Sequence, residues 1–265
     1  MLWHLGPSSL QQALRALPLP AWRYYAVTGS TNDEALAWAE AGAAEGCLVV
    51  AEAQTRGRGR SGRRWWTHPE AALALSVIAR PLPGEQAALH RFTAWGAVAL
   101  AEMLRETYRL PAEVKWPNDV LLQGRKVAGV LAEAVWEGDL PAAVVVGIGL
   151  NLAPESVPSA GAVDFPAGCV ADALGAVPPR WPMLAALLQA MWRWRYRLHS
   201  VEFVQAWERY LAYRGQTVQA GAVSGVLMGL DADGRLRLRL PAGEERSLVA
   251  LEGHLRTVDS QRDFI

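Results

Sequence analysis

Three asparagines, Asn32, Asn118 and Asn151, and two lysines, Lys115 and Lys126, are all that 265 residues hold of these two types. Lysine is ordinarily abundant, yet 24 of the 26 basic side chains here are arginine. A composition that has drifted this far keeps an amide or an ammonium chiefly where Arg, Ser or Asp cannot replace it. The five residues therefore mark where ligand binding or catalysis is expected.

The most charged cluster follows a strand-like run. Between Arg56 and Trp65 lie five arginines and three glycines in ten residues. Glycines let the backbone wrap closely around a ligand, and guanidinium forks bind phosphate or carboxylate through two parallel hydrogen bonds. Such a loop repels itself, so it is expected to order around an anion and to act as a gate. A solvated basic loop or an RNA-contacting Gly/Arg segment is the structural alternative.

In Lys115-Trp-Pro-Asn-Asp119 the proline enforces an extended or turned backbone, so Lys115 and Asn118 or Asp119 can project toward one pocket. A surface lysine beside a turn is the plain alternative. Gly147-Ile-Gly-Leu-Asn151 ends an apolar run with glycines that permit close approach, suited to a nucleotide sugar or phosphate or to tight packing. Ser30-Thr31-Asn32 is explicable as helix capping, which leaves the asparagine without a reason. Lys126, Gly129 and Glu133 share a strand-like run and are read as structural, as are the aromatics Trp192, Trp194 and Tyr196.

These clusters need elements to position them. Thr31 and Glu34 read as a capping box opening a helix that stops at Gly42. Buried-strand runs are Cys47–Ala53, Leu73–Ala79, Val127–Ala134 and Ala142–Ile148, with two short strands near Val114 and Val120. Helical periodicity covers Arg91–Tyr108, Met183–Leu198 and Val201–Ala212, and the Pro/Ser/Gly-rich stretch Ala153–Gly168 reads as a mobile loop. Beyond Gly215 short alternating strands surround a turn at Asp231–Gly234, as in a small barrel. The order suggests an α+β fold, a mixed β-sheet flanked by helices over residues 1–212, with a C-terminal barrel over residues 213–265.

A formal charge of zero argues against a protein that coats nucleic acid. Cys47 and Cys169 match no zinc or disulfide spacing, which suits a reducing, cytoplasmic setting. The apolar stretch Leu140–Pro154 is short for a membrane span of about 20 residues, so no membrane partner is expected.

The succession STN, Gln54 with GRGRSGRRW, KWPND, KVAGVLAE and GIGLN, over Val27 to Asn151, resembles the biotin protein ligase family. The resemblance implies the fold of class II aminoacyl-tRNA synthetases with an SH3-like C-terminal barrel. It also implies conversion of biotin and MgATP to biotinyl-AMP, then transfer to a lysine of a biotin carboxyl carrier protein. Ser30, Thr31, Asn32 and Gln54, with Arg58, Gly59, Arg60 and Lys115, would hold biotin. Lys115, Arg58 and Arg60 would be catalytic, and Arg60, Lys115, Asn118 and Asn151 would face ATP. Carboxylate and phosphate charges about 4 Å apart repel by about 4 kcal/mol at an effective dielectric near 20, which the cations and Mg2+ would offset. Some relatives carry an N-terminal helix-turn-helix; with 29 residues before Ser30, no operator binding is expected. A monomer or homodimer is anticipated.

Two departures from the family pattern are Ser61, where a basic residue is common, and Gly253-His254-Leu255 in place of Gly-Glu-Val. The rival on the same fold is a lipoate ligase or an octanoyl transferase, the latter with Cys169 as nucleophile.

Overall fold

The computed structural model describes residues 3–159, 162–163, 165–249 and 255–258. After a short helix α1 (Ser8–Leu14), strand β1 (Trp22–Thr28) pairs in parallel with β2 (Leu48–Gln54) across the intervening helix α2 (Thr31–Glu40). Strand β3 (Ala72–Ala79) is followed by the long helix α3 (His90–Glu106) and by β4 (Glu113–Lys115), β5 (Asp119–Leu122), β6 (Arg125–Glu137) and β7 (Leu140–Asn151). Together they form a seven-stranded sheet in the order β1-β2-β3-β7-β6-β5-β4, mixed because every pair except β1·β2 is antiparallel.

All eight residues of β3 are buried, the signature of a strand covered on both faces. On one face α2 packs Ala35 and Ala39 against Val49, Ile78 and Val145. On the other, α3 and α5 (Arg180–Trp194) supply Trp95, Val98, Leu184 and Leu187 against Leu75, Val77 and Val146. Between them lies α4 (Val170–Leu174), and α6 (Val201–Arg209) follows α5. The aromatic pattern near the end of α5 is split. Trp194 meets Phe203 edge-on with ring centroids 5.6 Å apart, whereas Tyr196 is 61% exposed and is not a packing residue.

The C-terminal strands β8 (Thr217–Ala220), β9 (Val223–Leu230), β10 (Leu236–Arg239), β11 (Glu245–Leu248) and β12 (Leu255–Thr257) make one antiparallel sheet, ordered β11-β10-β9-β8-β12. Among the described residues no pairing closes it into a barrel. Val218, Leu227, Leu236 and Leu238 belong to the same apolar core as Trp116 and Trp207, so the two sheets share one interior. Gly253 and His254 lie outside the described residues.

The stretch expected to be mobile is tied down where it is described. Pro154–Ser156 forms a single 3-10 turn, Lys126 donates its amide to Pro166 at 2.8 Å, and Gly168 donates to Lys126 at 2.9 Å. These bonds add a short parallel contact to the outer part of β6.

Candidate functional site

One cleft of about 270 Å3 opens over the sheet between α2, the Arg/Gly segment, the β4–β5 turn and β7. All three asparagines and both lysines line it. So do Ser30, Thr31, Gln54, Arg58, Gly59 and Arg60.

One end is neutral. Ser30, in extended conformation, is the N-cap of α2 and its side chain makes no cap hydrogen bond, while Thr31 is already inside the helix, so the expected capping box does not form. Glu34 instead accepts from the Thr28 hydroxyl at 2.6 Å. That frees Thr31 to donate its amide to Gln54 Oε1 at 2.8 Å, while Gln54 donates to Thr67 at 3.0 Å. Ser76, fully buried on β3, lies 2.8 Å from the Thr31 hydroxyl and 2.6 Å from Asn32 Oδ1. Asn32 Nδ2 donates to Glu133 at 2.6 Å. Each buried polar atom named here has a partner, as burial requires, so this wall is held rigid.

Of the two readings left open for the glycines of β7, tight packing is the one their surroundings match. A Cβ at Gly147 would lie 2.0 Å from Asn32 Oδ1, and one at Gly149 would lie 2.2 Å from the Trp65 ring. The close approach they permit is made by the chain's own side chains. Trp65 Nε1 and Asn151 Oδ1 are buried without a hydrogen-bond partner, the condition of groups aimed at a ligand. The other end of the Asn151 amide is fixed, donating to Gly168 at 3.0 Å.

The Arg/Gly segment is a folded hairpin. Trp65 donates to Gly57 at 2.9 Å and Gly59 to Arg63 at 2.7 Å. Arg58 meets Asp33 at 2.5 Å and Glu133 at 3.2 Å, and these carboxylates supply the counter-charge that the sequence reading assigned to an anion alone. Arg60 reaches toward Asn118 at 3.4 Å. Burial, with Arg63 nearby, lowers its guanidinium below the usual value despite the attraction of Asp119.

The opposite end is ionic. Asp119, nearly fully buried, bridges the only two lysines: its Oδ2 is 3.1 Å from Lys115 and its Oδ1 2.5 Å from Lys126. Burial alone would raise its carboxyl; the two ammoniums hold it below the ordinary range. Lys115 sits 3.6 Å from the centroid of Phe165, and burial pushes its ammonium down to about 8. Lys126 is the more open of the pair, 23% exposed against 2%. Sequence reasoning took Lys126 and Glu133 as structural and passed over Phe165 and Trp65. The rarity of lysine was the signal for Lys126. For Phe165, inside a stretch read as loop, none existed.

Cys169 is buried at the N-cap of α4, outside the cleft lining, and burial raises its thiol. That position does not suit a nucleophile. Among the described residues no three His, Cys, Asp or Glu side chains group as a metal site, and no helix is long and apolar enough to cross a membrane.

Residues 24–151, from β1 to the end of β7, match the model of the Biotin/lipoate A/B protein ligase family. The biotin--[acetyl-CoA-carboxylase] ligase of Paracoccus denitrificans is 38% identical over 231 residues, covering 82% of this chain and 94% of that protein. Its Mycobacterium tuberculosis counterpart is 33% identical over 256 residues, covering 91% and 82%. In structure, the biotin protein ligase of Aquifex aeolicus, solved with biotin and ATP, superimposes with a TM-score of 0.76 at 26% identity, covering 90% of this chain and all of that one. A cleft that gathers every asparagine and lysine on this sheet, together with these matches along nearly the full length of its relatives, places the chain in the biotin protein ligase family.

Proposed function

We propose that this protein is an ATP-dependent biotin ligase. A biotin carboxylate oxygen attacks the α-phosphorus of ATP, the bond to the β-phosphate breaks, and biotinyl-5'-AMP and pyrophosphate result. A carrier lysine amine then attacks the biotinyl carbonyl, AMP departs and one proton is released. The carrier is a biotin carboxyl carrier domain of a carboxylase, and the setting is the cytoplasm.

The observation that carries this reading is a single cleft with a neutral, hydrogen-bonded end and a cationic end. The neutral end, with Ser30, Thr31, Asn32 and Gln54, suits an uncharged ureido ring that offers both donors and acceptors. Arg60, Lys115, Lys126 and Asn118 face the place where carboxylate and phosphate meet. There, preorganised cations lower the barrier by stabilising charge as it develops. Asn151, with its free oxygen, faces the nucleotide. The hairpin Gly57–Trp65, held by Arg58 to Asp33 and Glu133, covers the mixed anhydride and keeps water from it.

Mg2+ fits this donor set as a phosphate-borne ion. It keeps several waters and binds phosphates with few protein ligands, and the cleft offers it the Asn151 amide oxygen more readily than a carboxylate already bridging two lysines. When bound, it neutralises triphosphate charge. Residues 213–265 form a second module of the SH3-like kind in this reading.

Transfer of radiolabelled biotin to an apo carrier domain tests the assignment. Label is expected on the carrier only when ATP is present. No labelling, or labelling independent of ATP, would overturn it.

A further inference from the structure

The turn between β9 and β10 presents three consecutive carbonyls to the main sheet's side of the molecule, and each accepts one hydrogen bond from it. Arg91 donates to Ala232 at 2.8 Å, His90 Nε2 lies 2.7 Å from the Asp233 carbonyl, and Trp116 Nε1 donates to Gly234 at 3.0 Å. The turn is built for this. Asp231 Oδ1 accepts from the amides of Asp233 and Arg235, both at 2.9 Å, which turns the carbonyls outward. Gly234 has φ +81° and packs against Trp207, leaving no room for a side chain.

Trp116 is what makes this contact bear on chemistry. Its indole is 2% exposed and reaches from the cleft lining to the turn. It stands between Lys115 and the Asn118–Asp119 pair in the chain, in the turn that joins β4 to β5 at the outer end of the sheet. On its outer edge β4 is also tied to backbone through Val114, bonded to Tyr210 and Ala212. Ser30–Asn32 and Gln54 lie on α2 and β2, with β3, β7 and β6 between them and β5.

We propose that Trp116 is a positioning residue through which the C-terminal turn Asp231–Gly234 sets Lys115 and Asn118 for the nucleotide, leaving the biotin end untouched. The proposal rests on the ligase reading. Its signature is selectivity, because a loosened turn displaces only the ionic end.

The test measures biotin-dependent ATP/pyrophosphate exchange in the full chain, with kinetics for ATP and biotin separated and thermal melts in parallel. Trp116→Phe keeps the ring but leaves the Gly234 carbonyl unpaired. It is expected to lower kcat/KM for ATP by about tenfold, with KM for biotin within about twofold of the parent. Asp231→Ala lies outside the cleft and loosens the turn without altering any cleft residue. It is expected to give the same ATP-selective loss, about threefold.

The Asp231→Ala result decides the matter even if Trp116→Phe fails to fold. An ATP-selective loss supports the proposal. Unchanged kinetics, or equal losses for ATP and biotin that track a lower Tm, overturn it. Absence of exchange in the unsubstituted protein would overturn the ligase reading itself.

Discussion

The two ends of the cleft solve opposite problems. At the α2/β2 end, hydroxyls and amides are paired among themselves through Thr31, Gln54, Ser76 and Asn32, and the nearby carboxylates are spent on partners, Glu133 on Asn32 and Arg58, Asp33 on Arg58 and Glu34 on Thr28. At the β4–β5 end, one buried carboxylate is shared by two ammoniums, which leaves an excess of positive charge. A neutral network is rigid before its ligand arrives and discriminates by geometry. The charged end bears its excess charge until anions arrive, and so contributes most when charge is being rearranged. Affinity for biotin and rate of adenylation should therefore be separable by mutation.

The sharpest separation comes from Lys115→Ala. Asp119 keeps Lys126 as a partner, so the fold is expected to persist, while biotin-dependent ATP/pyrophosphate exchange falls on the order of 10²- to 10³-fold. Near-normal exchange would remove Lys115 from the catalytic set and shift that role to Lys126.

A second handle is pH. With the Lys115 ammonium pushed down to about 8, the free enzyme loses this charge as pH rises through that value. Asp119, held low by its two neighbours, stays ionised throughout. The kcat/KM for ATP should then decline above pH 8 by up to about tenfold per unit. Lys115→Arg should move this limb upward, because a guanidinium keeps its proton to above about pH 12. A profile of identical shape in parent and variant would show that Lys115 is not the titrating group.

The smallest effect belongs to the neutral end. Thr31→Val preserves shape but removes the hydroxyl that meets Gln54 and Ser76. KM for biotin is expected to rise by about tenfold, with kcat and KM for ATP near the parent values. Calorimetric titration with biotin alone checks this without turnover. Loss of exchange rate at saturating biotin would erase the proposed division between the two ends.

Much of the scaffold was legible because its signals are local. The buried run Leu73–Ala79 became β3 almost unchanged, and the helical period from Arg91 became α3. Scarcity of lysine and asparagine located the cleft before any geometry was known. Readings failed where a partner far along the chain decides the outcome. Ala153–Gly168 has neither helical nor strand period, yet its described end bonds to β6 through Pro166 and Gly168, and Phe165 lies against Lys115. Gly147 and Gly149 left ligand approach and tight packing both open, and the distant Asn32 and Trp65, which occupy the space they leave, decide for packing.

By itself, then, the sequence determined which groups were on hand: amides, ammoniums and guanidiniums on an alternation of helices and strands, each specified by short-range period and composition. Only the tertiary structure decided their state. Asn32 and Glu133 meet across 101 positions of chain, and Trp116 finds its hydrogen bond 118 positions away. A side chain's charge, exposure and direction depend on what packs against it, and chain folding supplies those neighbours from distances that no local pattern encodes.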